Sequence, residues 1–196
     1  MEIKMDFLKK MKSDQPYVAR YADLPGDIQD KAKHLCWGYS QTDPVAKVER
    51  YAILRTLLGT VDETVFIGTN FSCDYGFNIH FNGFSFINNN CTILDSSPVN
   101  IGANVFLAPG VCLTCTGHAL IAEQRRNGII TSAPITLAAD VWLGANVVVR
   151  GGVTIGQGSI IGAGSIVTHD IPAGVVAVGN PCKVLRKVTE ADRLAL

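Results

Sequence analysis

From Leu137 to Val167 an aliphatic residue returns at every sixth position: Leu137, Leu143, Val149, Ile155, Ile161 and Val167. A second register, Val141, Val147, Val153, Ser159 and Ser165, stands two places ahead of the next aliphatic. The segments LAADVW, LGANVV, VRGGVT, IGQGSI and IGAGSI carry the repeat, and IGANVF and LAPGVC extend it upstream through Ile101, Leu107 and Leu113. A period of six is neither the helical 3.6 nor the simple alternation of a strand. It denotes one short strand plus one turn, stacked on itself. Three such units close a triangular coil of about 18 residues per rung, with rungs at the strand spacing of roughly 4.8 Å. Gly102, Gly144, Gly156 and Gly162 each follow the aliphatic residue, where a corner is expected to need conformations that side chains resist. Segments around Val65, Ile79, Ile87 and Ile93 read as looser, earlier rungs.

The head reads as helical. An amphipathic stretch covers roughly 27–39, and Asp43 followed by Pro44 predicts an N-cap and a first helical position. Tyr51, Leu54, Leu57 and Leu58 follow at helical spacing. At the far end Thr189 and Asp192 form a capping-box pattern for a short final helix. The expected organisation is a helical segment over 1–60, a coil over 61–187 and a C-terminal helix over 188–196. Between Leu113 and Leu137 the repeat is interrupted by 23 residues, TCTGHALIAEQRRNGIITSAPIT. The interval of 24 is a multiple of six, so the register resumes as if a loop, 114–136, had been extruded from a rung. Function concentrates on loops that leave a rigid scaffold. This one holds His118 at its start and the pair Arg125 and Arg126.

Charge sharpens the division. The 17 Lys and Arg balance 17 Asp and Glu, which excludes a basic footprint for nucleic acid or an anionic membrane. Ten of the basic residues lie in 1–55, none lies in 56–124, and Lys183, Arg186, Lys187 and Arg193 crowd the end. Charged residues make up only 17% of the chain, against roughly 25% in ordinary soluble domains, so a face buried against another copy is expected. No apolar run approaches a membrane span of ~18 residues, and the opening MEIKMDFLKKMKSDQ has no signal-peptide core. A cytoplasmic protein is expected. The six cysteines are scattered, which suits reduced thiols. Cys112 and Cys115 form a lone C-x-x-C, read as half-buried thiols on a strand and not as a metal site.

The motifs CDYGFNIH (73–80), INNNCTILD (87–95), TGH (116–118), RRNG (125–128), PIT (134–136), VWLGANVVV (141–149), GVTIG (152–156), IGAGSIVT (161–168), DIP (170–172) and GNPCKVLR (179–186) resemble the maltose/galactoside O-acetyltransferase family of hexapeptide acyltransferases. The resemblance runs from the helical head to Arg186, with the galactoside branch nearest. It implies a left-handed parallel β-helix, a homotrimer with a donor groove between neighbouring coils, acetyl-coenzyme A as co-substrate and a hydroxyl-bearing acceptor. His118 falls on the family's catalytic histidine. A hydroxyl is a poor nucleophile, and an imidazole is the side chain best suited to take its proton near neutral pH. Attack on the thioester makes an oxyanion that backbone N–H groups can stabilise. No acyl-enzyme is needed, so Cys115 need not be a nucleophile. Asn88 falls on the acceptor-site asparagine, and Asp74 and Tyr75 on the acceptor pocket wall. Asn89 and Asn90 suit a ladder of stacked turns equally well. Ser96 is placed with Asn88, Asp74 and Tyr75 on the acceptor side, where the galactoside branch has an acidic residue. For the donor, Trp142 offers a flat apolar wall, and Ala145 and Ala163 leave room for backbone bonds to the pantetheine arm. Lys183 and Arg186 lie where phosphate contacts are expected. Ala145 replaces the branch's serine and His169 the family's lysine, which weakens oxyanion and phosphate contacts there.

Two rivals use the same coil. A γ-class carbonic anhydrase needs three histidines around zinc, and His34, His80, His118 and His169 do not pair at ligand spacing. A non-catalytic scaffold would tolerate loss of His118. A xenobiotic or polysaccharide acceptor keeps the reaction and changes the pocket, whose shape is set by the head helices and by Ile129 and Ile130.

Overall fold

The computed structural model describes residues 7–13, 15–20 and 26–195; the opening segment read against a signal peptide lies partly outside them. The six-residue period becomes three parallel sheets wound into a triangular β-helix. Sheet one stacks Phe66–Ile67, Ser85–Ile87, Val105–Leu107, Trp142–Leu143, Ile160–Ile161 and Val175–Val178. Sheet two stacks Ser72–Cys73, Thr92–Leu94, Cys112–Thr114, Val148–Arg150 and Ile166–Val167. Sheet three stacks Ile79–Phe81, Val99–Ile101, Ile135–Leu137 and Thr154–Ile155. The repeating aliphatics all point inward and are buried. Their burial is the main favourable term in a fold with short strands and few helices. Ser159 and Ser165 keep the second register because their hydroxyls meet backbone at the last turns. Ser159 Oγ donates to the Pro172 carbonyl and accepts from Val175 N–H; Ser165 Oγ does the same for Gly162 and Gly179.

Rung length departs from the expected constant. Leu143 to Ile161 and Leu137 to Ile155 are one rung of 18 residues apart, but Ile67, Ile87 and Leu107 pair at intervals of 20. The two additional residues sit at one corner, between sheets two and three, where Cys73 and Phe81, and again Ile93 and Ile101, are eight apart. The segment between Leu113 and Leu137 leaves from that same corner one rung later. We call it the hairpin corner.

The glycines that follow the aliphatics are needed for a reason other than the one expected. Gly144 has an ordinary negative φ, and a Cβ there would stand 2.6 Å from the Ala163 nitrogen of the next rung. Gly102 is crowded in the same way by Ala139. Close approach of rungs, not an unusual dihedral, excludes a side chain. The left-handed conformation falls two residues later, on Asn104, Asp140, Asn146, Gly158 and Gly164. At the corner between sheets one and two the asparagines also form the expected ladder. Asn70 Nδ2 donates to Asn90 Oδ1 at 3.0 Å, and Asn89 Oδ1 accepts from Thr69 N–H at 2.8 Å. We call this the asparagine corner.

Two helices cap the first rung: α1 (Gly26–Gln41) and α2 (Lys47–Leu57). Helix α2 starts later than Asp43–Pro44 suggested. Asp43 Oδ1 accepts the Val45 N–H in a local turn, a competing use of that side chain, and Ala46 precedes the helix with no side-chain cap. Leu54, Leu57 and Leu58 are buried as the spacing required. Cys36 of α1 meets Cys73 of the coil, Sγ to Sγ 3.6 Å, and all six cysteines are free thiols. Arg50 of α2 is the cap's anchor. It is 6% exposed, lies 3.9 Å above the Tyr39 ring, and donates to the carbonyls of Tyr39, Ile67 and Gly68 and to Thr42 Oγ1. Arg50→Met strips the cap of these four donated bonds, although Tyr39 OH still reaches the Ile67 carbonyl and Thr42 the Tyr39 carbonyl, and is expected to cost about 2–3 kcal/mol, read as a fall in the urea midpoint at unchanged m.

The far end is capped by Lys183–Lys187, which turns back antiparallel on Val175–Val178. The expected final helix is only a 3-10 turn, Glu190–Asp192, although the Thr189–Asp192 capping box is present. So short a segment cannot sustain a helix by itself, and Asp192 is also drawn to Arg186.

The outer face of sheet one is apolar along its whole length. Phe66, Phe86, Phe106, Trp142, Ile160 and Val176 share one register. Phe66 and Phe86 stack at 4.7 Å, Phe86 and Phe106 at 6.3 Å. Phe106 is 44% exposed and Trp142 53%. The corresponding positions on sheet three are His80, Asn100, Thr136 and Thr154.

Candidate active site

The extruded segment is an antiparallel hairpin with a short helix at its tip. Thr116–His118 pairs with Ile129–Ser132, and α3 (Ala122–Arg126) closes the end. Arg125 donates to the Ala119 and Leu120 carbonyls and ties the tip together. A third strand, Tyr17–Val18, adds to the outer side of Ile129–Ser132. Nothing in the six-residue period announced it.

Strand alternation sorts the side chains. Thr116 and His118 lie on one face, opposite Ser132 and Ile130, while Gly117 and Thr131 lie on the other. On the His118 face Ile130 packs in a second apolar cluster with Phe7, Met11, Tyr17 and Tyr75. His118 is exposed at its edge, and its ring makes no hydrogen bond among the described residues. On the opposite face a cleft of about 240 Å³ is lined by Cys115, Thr116, Gly117, Thr131, Ala133, Arg150 and Gly151. Arg150 is the one basic residue between 127 and 182; sequence reading passed over it because it belongs to no motif.

Asp74 and Tyr75 stand at the hairpin corner on an earlier rung. Burial raises both the Asp74 carboxyl and the Tyr75 phenol above their ordinary values. The corner is held by a residue that carried no role in the sequence reading. Asp95 Oδ1 accepts from Tyr75 N–H at 2.8 Å and Oδ2 from Asn78 N–H at 3.3 Å, and Asn78 Nδ2 returns a bond to the Asp95 carbonyl. Burial pushes the Asp95 carboxyl up to about 6, against the pull of these bonds. The native state therefore keeps its proton at pH values where the unfolded chain has lost it. Stability falls as pH rises from about 4 through about 6, by roughly 2–3 kcal/mol for a shift of this size. Denaturant titrations between pH 4.5 and 7.5 are expected to show a flatter dependence for Asp95→Asn than for the wild type.

Ser96 is 4% exposed. Its Oγ lies 2.6 Å from Thr116 Oγ1 and 2.9 Å from Ser132 Oγ. Cys115 is also buried, with Sγ donating to the Ser97 carbonyl, and burial pushes its thiol up to about 12. Cys112 is partly exposed on sheet two.

The other sequence-derived residues gather along the asparagine corner. Asn88 follows the strand Ser85–Ile87, and its Oδ1 accepts only from the neighbouring Asn89 N–H. Ala145 and Ala163 occupy the same turn position two and one rungs from the C-terminal cap, beside the exposed Trp142. Neither alanine donates its N–H to another group among the described residues. Lys183 begins the terminal strand at this end, in register with Val178. His169 instead lies on the hairpin-corner side, its Nδ1 2.9 Å from Thr168 Oγ1. Arg186 forms a two-bond pair with Asp192 at 2.7 and 2.8 Å, which holds the Asp192 carboxyl down at about 2. Its guanidinium is thus already occupied by a carboxylate. A strand of sheet two separates the asparagine corner that holds Asn88 from the hairpin corner that holds His118. Among the described residues no group of three His, Cys, Asp or Glu could hold a metal, and no helix is long and apolar enough to cross a membrane.

Two family models match the chain: the bacterial transferase hexapeptide (six repeats) over residues 134–169, and the maltose acetyltransferase hexapeptide capping motif over residues 10–62. The galactoside O-acetyltransferase of Escherichia coli K12 is 42% identical over 163 residues, 83% of this chain and 80% of that one. A maltose O-acetyltransferase from Clostridium difficile 630 superimposes with a TM-score of 0.89 at 39% identity, over 93% of this chain and 97% of its own. A hexapeptide-repeat acetyltransferase of Vibrio cholerae, solved with acetyl-coenzyme A, gives 0.85 at 30% identity, over 94% and 99%. The capping helices, the stacked hexapeptides and the hairpin bearing His118 thus have one common context, and the chain belongs to the maltose/galactoside O-acetyltransferase family of left-handed β-helix, hexapeptide-repeat acyltransferases.

Proposed function

We propose that this acetyl-coenzyme A-dependent acyltransferase moves the acetyl group to a hydroxyl of a sugar or similar small acceptor, with His118 as general base, at a site shared between copies of the chain. The observation that carries the reading is the division of the candidate residues between two corners. His118, Asp74 and Tyr75 stand at the hairpin corner, while Asn88, Trp142, Ala145, Ala163 and Lys183 line the asparagine corner. One copy supplies the base and the other the donor groove. The apolar face of sheet one, from Phe66 to Val176, is the surface for that association, and a homotrimer closes it with three equivalent sites.

The acceptor hydroxyl gives its proton to the His118 imidazole as its oxygen attacks the thioester carbonyl. The tetrahedral oxyanion is met by the Ala145 N–H, which has no partner among the described residues. Collapse breaks the carbon–sulfur bond, and the imidazolium returns the proton to the leaving thiolate. Cys115 takes no part, because a buried thiol raised this far is not a thiolate near neutrality. Tyr75, Asp74 and Asn88 bound the acceptor. Trp142 and Ala163 flank the pantetheine arm, and Lys183 of the groove-bearing copy meets phosphate together with His169 of the copy that supplies the base. Arg186 joins them only by exchanging Asp192 for the coenzyme. Six free thiols suit the reducing cytoplasm.

Thiol release from acetyl-coenzyme A, measured over a panel of sugars, thiogalactosides and hydroxylated antibiotics, tests this reading. Acceptor-dependent release is expected with at least one class; no release with any acceptor overturns it.

A further inference from the structure

Four hydroxyls from four separate segments meet under the hairpin. Tyr17 OH lies 2.8 Å from Ser132 Oγ, Ser132 Oγ donates to Ser96 Oγ at 2.9 Å, and Ser96 Oγ lies 2.6 Å from Thr116 Oγ1. Each hydroxyl has one proton, so the direction follows. Ser132 spends its proton on Ser96, which makes Tyr17 the donor to Ser132. Ser96 has no other acceptor among the described residues and donates to Thr116. Tyr17, Ser96 and Ser132 are each at most 6% exposed.

We propose that Ser96 is a positioning residue for His118: through this directed chain it clamps both strands of the hairpin to the coil and fixes where the base stands. The inference rests on the function proposed above. Thr116 and Ser132 face each other at the foot of the hairpin, and both hydroxyls converge on the single oxygen of Ser96 from the rung below. His118 is two residues beyond Thr116 on the same strand face. A hairpin of three- and four-residue strands is marginal without such support, and a misplacement of about 1 Å at a catalytic group costs up to 10²-fold in rate. Tyr17 extends the clamp to the strand that covers the hairpin's outer side, and no other element joins that strand to the coil through a buried side-chain hydroxyl among the described residues. Ser96 thus has its one proton committed to Thr116 and a lone pair committed to Ser132. The position that holds an acidic residue in the galactoside branch is used here for support.

The test combines kinetics with amide hydrogen exchange on Ser96→Ala, Ser132→Ala and the double variant. In Ser96→Ala, kcat is expected to fall about tenfold with the acceptor and acetyl-coenzyme A KM values little changed, short of the full cost of misplacing the base. Exchange is expected to accelerate at Thr116–His118 and Ile130–Ser132 while the rungs Leu137 to Val167 stay protected. The double variant is expected to cost little more than either single change. A raised acceptor KM at unchanged kcat makes Ser96 an acceptor contact and overturns the proposal, as does unaltered hairpin exchange. If the wild type transfers to no acceptor, the functional reading fails, and the exchange data still decide whether the clamp exists.

Discussion

His118→Ala is expected to lower kcat by at least about 10²-fold while acetyl-coenzyme A binding persists. The ring stands exposed at the edge of the Tyr17–Tyr75–Ile130 cluster and is engaged by no other described side chain, so its removal leaves the packing intact. Two nearby candidates are engaged elsewhere. Cys115 is buried with its thiol raised to about 12, and the Asp95 carboxylate is consumed by the Tyr75 and Asn78 amides. An acetylated protein seen by intact mass after acetyl-coenzyme A alone contradicts direct transfer, because it requires a nucleophile on the chain. Undiminished turnover in the variant removes His118 from the chemistry altogether.

Phe106→Glu is expected to dissociate the proposed trimer and to abolish most of the activity together with it. Phe106 sits mid-stripe, between Phe86 and Trp142, and is 44% exposed in the single chain. A carboxylate there loses its hydration on association without gaining a partner, a penalty of several kcal/mol per buried charge. The coil's interior is untouched, since the residue points outward between buried Val105 and Leu107. Sedimentation velocity and thiol release measured on the same sample check this. A monomer that turns over normally contradicts a site shared between copies.

The fold was legible because the coil stacks like on like. A repeat of six survives in the pairing register of Leu137, Leu143 and Val149 with their partners one rung on, so period translates directly into architecture. The hairpin corner was legible only in outline. The TGH segment marked His118, but the two-residue enlargement of the rungs at Cys73–Phe81 and Ile93–Ile101 breaks the period at the place where the site is built. Tyr17–Val18 left no sign, since a two-residue strand has no periodicity and its partners are more than a hundred residues away. Asp95 was hidden for a different reason. Its role lies in backbone amides of Tyr75 and Asn78, which sequence spacing does not display. Asp43 shows a local signal overridden by an equally local competitor, the Val45 amide. The corner glycines were recognised correctly as special and explained wrongly, because crowding between rungs and a left-handed dihedral both favour the residue without a side chain.

The division of the site between two corners is tested most directly by mixed assemblies of two inactive proteins. His118→Ala removes the base at the hairpin corner, and Ala145→Trp fills the donor groove at the asparagine corner. Each alone is expected to be inactive. Co-expressed with different affinity tags and purified through both, the mixed trimer is expected to regain about one intact site in three, seen as thiol release near that fraction of the wild-type rate. Mixed trimers as inactive as their parents would contradict the account, since a site contained within one chain cannot be restored by a neighbour.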